Sequence, residues 1–71
     1  MNVTADQAKK IMTGNQKFTQ LGFSMLITRL RGSYAKDSSP GSLNTYTGEI
    51  NAFLKKFNSI MGADYAVIAK L

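Results

Sequence analysis

Between residues 43 and 60 the apolar side chains recur in alternating steps of three and four: Leu43, Tyr46, Ile50, Phe53, Phe57 and Ile60. That is the a/d spacing of a helix with one continuous apolar seam, and a period-two strand cannot place these residues on one face. Leu54 and Met61 flank the seam and widen it, while Glu49, Asn51, Lys55, Lys56, Asn58 and Ser59 fall off it. A helix so apolar along one side must be covered, either by the rest of the chain or by a partner. Ser42 is the expected N-cap. After Gly62 the frame continues through Val67 and Leu71, so residues 62–71 read either as more helix or as a segment packing back.

The first half is also helical in pattern. Thr4 and Gln7 fit a capping box, and Asp6 suits the positive end of a helix. Ala8, Ile11, Met12, Phe18 and Leu21 follow at helical spacing, interrupted by a weak spot at Gly14-Asn15 that could be a turn. A second set, Phe23, Leu26, Ile27, Leu30 and Tyr34, is displaced from the first by about a quarter turn at about 100° per residue. The displacement predicts a break or kink near Gly22. The competing expectation is a strand over 23–31, paired with 64–71 in a small α+β fold. Pro40 and the serines around it mark a helix–helix connection, which makes its two flanks antiparallel. The expected architecture is a single all-α domain over 1–71, a helical hairpin or small three-helix bundle. Its parts are helical regions 5–36 and 43–61, a loop at 37–42 and a C-terminal segment at 62–71.

With 71 residues and no cysteine, such a domain has neither a large core nor a disulfide to stabilise it. Self-association or a protein partner is then the expected further source of stability. No apolar run approaches the ~20 residues that cross a bilayer. The N-terminal MNVTADQ has no basic or apolar leader pattern, so cytoplasmic residence is the default expectation, with signal-independent export left open.

With neither histidine nor cysteine, the chain lacks the commonest general base, the thiol nucleophile and most transition-metal ligands. Its four acidic residues, Asp6, Asp37, Glu49 and Asp64, are dispersed, and the glycines form no phosphate-binding loop. The expectation is a non-enzymatic protein, with no catalytic residue, cofactor, metal or small-molecule substrate.

Nine Lys/Arg against four Asp/Glu give a net charge of +5. The alternative function is therefore a small basic nucleic-acid-binding protein, contacting phosphates through Arg29, Arg31, Lys36, Lys55 and Lys56. Against it, Arg29 and Arg31 are two residues apart, toward the end of the first helical region, and point to different sides. Lys55 and Lys56 diverge in the same way. The leading expectation is a protein–protein interaction module, a self-assembling or accessory subunit of a larger assembly. Its contact residues would be Leu54, Met61, Tyr65, Val67, Ile68 and Leu71.

The stretch SPGSLNTYTGEINAFLKKFN resembles the second half of type III secretion needle subunits. Those are small helical hairpins with a proline turn, followed by apolar residues in the frame of Leu43, Tyr46, Ile50, Phe53 and Phe57. The resemblance covers 20 residues and implies filament-forming assembly. The chain departs from that pattern in its basic charge and its shorter tail, and it is not assigned to the family.

Overall fold

A computed structural model describes the backbone of residues 2–61 and the side chains of residues 2–57. Three helices are present: α1 (Ala5–Thr13), α2 (Leu21–Lys36) and α3 (Pro40–Met61), each packed against the other two. This is the three-helix form of the expected all-α domain. The strand over 23–31 is overturned, because those residues lie within α2, and its partner 64–71 lies outside the described residues.

α1 starts where the capping box predicts. The Thr4 hydroxyl accepts from the Gln7 amide at 3.1 Å, and Gln7 Oε1 accepts from the Thr4 amide at 2.9 Å. The helix stops at Gly14, whose amide donates to the Lys10 carbonyl at 2.9 Å. A Cβ at Gly14 would sit 2.9 Å from that same carbonyl and collide with Gln16 Oε1, so the close approach requires glycine. The first helical region thus breaks at residues 14–20, and Gly22 lies inside α2, correcting the expected kink there. Gly22 faces α3: a Cβ there would touch the Phe53 ring at 3.4 Å, an ordinary contact, and press on Gln20 Oε1 at 3.2 Å.

α3 begins earlier than expected, leaving only residues 37–39 between helices. Pro40 occupies its first position, where the missing amide costs nothing. Ser39, not Ser42, caps it: the Ser39 hydroxyl accepts from the Ser42 amide at 3.3 Å. Asp37 secures the turn from the other side, accepting from the Ser39 amide at 3.1 Å and the Ser42 hydroxyl at 2.5 Å. The Tyr46 hydroxyl closes the junction, 3.0 Å from the Asp37 carbonyl and 3.3 Å from that of Ser33.

α2 and α3 run antiparallel, with Tyr34 beside Tyr46, Arg29 beside Glu49 and Phe23 beside Phe53. The core holds Ile11, Phe23, Ile27, Leu30, Ile50 and Leu54, all essentially without solvent exposure. The N-terminal segment is tied to α3 by Asn51, which accepts from the Val3 amide at 2.7 Å and donates to the Val3 carbonyl at 3.1 Å. The side-chain amide thereby pairs with main chain as a neighbouring strand would, and Val3 is buried beside it. Among the described residues, no helix is long and apolar enough to cross a membrane.

Candidate functional site

Among the described residues, two large apolar side chains are left in solvent: Leu21 at 72% exposure and Met25 at 64%. They stand one turn apart on α2 and share a face. The reason they are outside is geometric. α2 has to present Phe23, Ile27 and Leu30 to the core and Gly22 to Phe53, and at about 100° per residue Leu21 and Met25 then fall on the solvent side of that contact. Phe53 and Phe57 on α3 are half-buried against the core, with the Phe53 ring facing Gly22 and Phe23.

An aromatic row supports this edge of the molecule. Phe18 meets Phe23 edge-on at 5.0 Å, Phe23 lies 5.5 Å from Phe53, and Phe53 stacks on Phe57 at 5.9 Å with the rings 13° from parallel. Phe53 and Phe57 are thus held by ring contacts on α3, while Leu21 and Met25 stand exposed on the neighbouring α2. The rim of this edge is polar. Lys55 and Lys56 are exposed on α3 beside the two phenylalanines, and the Arg29–Glu49 ion pair, at 2.6 Å, bounds the other end.

The expected contact residues fare differently from one another. Leu54 is a correction: it is 1% exposed and belongs to the core, so it offers nothing to a partner. The cause is α1, which packs on the flank of α3 that a two-helix hairpin would leave open. Met61 is the last residue of α3 and its side chain lies outside the described residues, as do Tyr65, Val67, Ile68 and Leu71.

The basic set is divided by the fold. Arg31 is a second correction, because its guanidinium is already engaged within the protein. Its Nε donates to the Ile11 carbonyl at 3.0 Å, and Nη2 donates to the Gln16 carbonyl at 3.1 Å and to Gln16 Oε1 at 3.4 Å. Ile11 is in the last turn of α1, so the cation serves the negative end of that helix. Arg29 is paired with Glu49, and the two do point to different neighbours, as their spacing requires. Lys36 closes α2 beside the 37–39 turn, whereas Lys55 and Lys56 lie toward the far end of α3. From Pro40 to Lys55 α3 rises about 22 Å at about 1.5 Å per residue. The five cations therefore do not converge on one patch.

A second concavity, of about 450 Å³, lies between the 14–18 connection and α2, lined by Lys17, Phe18, Ser24, Ile27, Thr28 and Arg31 among others. Its one half-buried cation, Arg31, is held by the carbonyls named above.

The exposed pair Leu21 and Met25 went unseen in the sequence. Leu21 fits the stripe of α1 if the helix is read through Gly14, and Met25, outside the second stripe, suits a contact surface as well as a gap in the core. Their i,i+4 spacing off the Phe23/Ile27/Leu30 stripe was the available signal. In comparisons with known proteins, no family model, no curated protein and no solved structure matches the chain.

Proposed function

We propose that this chain is a non-enzymatic protein–protein interaction module that docks apolar segments on the α2 face that carries Leu21 and Met25. The observation that carries the reading is the exposure of Leu21 and Met25, at 72% and 64%, one turn apart on the same helix. Single exposed apolar residues are ordinary on a protein surface, but two large ones sharing one helix face have the make-up of a contact site. The partner it fits is an amphipathic segment with large apolar side chains.

Sedimentation of the protein up to about 1 mM, at about 50 mM and about 1 M salt, tests this. Apolar docking between copies grows with concentration, survives high salt and weakens in a Leu21→Ser/Met25→Ser variant. A chain that stays monomeric throughout, with the variant indistinguishable from it, sinks the reading. Oligonucleotide binding whose log affinity falls linearly with log salt would favour the nucleic-acid class instead.

A further inference from the structure

We propose that the concavity between the 14–18 connection and α2 binds a small organic anion, its charged head on Arg31 and Lys17 and its apolar body on Phe18 and Ile27. This site is separate from the docking pair Leu21 and Met25, which do not line it.

Charge gives the sign of the ligand. Arg31 is half-buried, and a cation withdrawn from water is ordinarily met by a counter-charge. Its guanidinium meets carbonyls instead: Nε donates to that of Ile11 at 3.0 Å and Nη2 to that of Gln16 at 3.1 Å. Carbonyls satisfy donors without cancelling a full charge, and the negative end of α1 offsets only about half of one. The exposed Lys17 lines the same concavity, and none of the described residues lining it is acidic. On a chain of net charge +5 the excess is not relieved from a distance.

The free donors decide how the head is held. A guanidinium has about five N–H donors in all. Nε spends its one on Ile11, and Nη2 spends both of its own on Gln16, the second on Oε1 at 3.4 Å. The pair on Nη1 is left for a ligand, so the head meets one end of the guanidinium and not its bidentate edge. Ser24 adds a hydroxyll to the lining, whereas the Thr28 hydroxyl is committed to the Ser24 carbonyl at 2.9 Å. Because the fold already fixes the Arg31 side chain, binding does not have to order it again.

Size and lining give the body. A volume of about 450 Å³ is that of a small-molecule site and exceeds a bare inorganic ion. Phe18 and Ile27, both buried, supply the apolar wall, and the Phe18 ring is fixed edge-on to Phe23 at 5.0 Å. The ligand class is therefore a phosphomonoester or carboxylate on a single ring or a short branched chain.

Phenyl phosphate, titrated into isotope-enriched protein at low salt, is the probe. Amide shifts should saturate and stay within residues 14–18, 24–28 and 31, and benzoate should move the same set. Phenol and inorganic phosphate, each carrying half of the ligand, should bind about tenfold more weakly or worse. Lys17→Gln leaves the bonds of Arg31 in place and should weaken phenyl phosphate by about threefold, with helical circular dichroism unchanged. Lys36→Gln, at the far end of α2, should leave the affinity as it was. Phenol binding as tightly as phenyl phosphate overturns the anionic head, and inorganic phosphate doing so overturns the apolar body. Equal losses in the two lysine variants reduce the binding to general charge attraction and overturn the site, as does the absence of saturable shifts up to about 20 mM.

Discussion

Replacing Arg31 by methionine measures what its guanidinium contributes to the fold. Methionine keeps the apolar stem and removes only the head group. The change abolishes the donors to the Ile11 and Gln16 carbonyls, at 3.0 and 3.1 Å, and the longer contact to Gln16 Oε1. A hydrogen bond to a charged group contributes about 1.5–3 kcal/mol, and the half-buried setting points to the lower end for each of the two short bonds, giving a loss of about 3 kcal/mol. A 71-residue domain has about 4–10 kcal/mol in total, so this is a large fraction of it. The melting temperature should fall by roughly 10–20 °C. Urea unfolding followed by circular dichroism measures the change, and amide exchange should accelerate first in residues 14–18. Arg31→Lys should recover about half, because an ammonium on a flexible stem cannot bridge both carbonyls as a planar fork does. Arg29→Met is the control: its ion pair with Glu49 is exposed at 58% and 38%, and such pairs contribute about 0–1 kcal/mol. If Arg31→Met unfolds within about 0.5 kcal/mol of the parent, comparable to ordinary surface substitutions, the guanidinium does not tie α1 to α2 and the reasoning fails.

Leu54→Ala should destabilise by about 2–5 kcal/mol in urea unfolding, while Leu21→Ala should change stability by no more than about 0.5 kcal/mol. Equal effects would contradict the division between core and docking face. Asp37 is held below its usual carboxylate range, chiefly by the Ser42 hydroxyl, then by the Ser39 amide and hydroxyl. Its contribution is therefore full above the unfolded-state value near 3.8 and lost as pH falls through the lower folded-state value. Asp37→Asn should accordingly be less stable than the parent at neutral pH, with the two unfolding curves converging under strongly acid conditions. A gap that persists there would show that the carboxylate charge is not what the Ser42 hydroxyl holds.

The elements that could be read in the sequence are those set by local rules. The capping box at Thr4 and Gln7, the long seam of α3 and the antiparallel pair around Pro40 all follow from contacts within a few residues or from a single periodicity. Where the reading missed, a distant group had decided the outcome. Gln20 caps α2 through its side chain, with Oε1 accepting from the Phe23 amide at 2.5 Å, and glutamine is not a residue type that marks helix starts. Without that signal, the stripe of α1 ran on through Gly14 to Leu21, and an exposed residue was counted as buried. Asn51 looked like a polar residue off the seam, and nothing local shows that its amide pairs with Val3, 48 positions away.

Leu54 shows why the candidate site moved. A heptad seam assumes one facing helix, and on that assumption the residue beside the seam lies at the edge. In a three-helix bundle α3 has two neighbours, and its buried arc widens toward α1 until Leu54 is enclosed. The same widening leaves the opposite edge, Phe53 and Phe57, only half covered, because α2 offers Gly22 there and turns Leu21 and Met25 outward. The apolar surplus evident in the sequence is therefore real, but it lies on the α2 side of α3. A chain with 44% hydrophobic residues in so small a domain does not bury them all among the described residues. Whatever covers that edge has to approach from solvent.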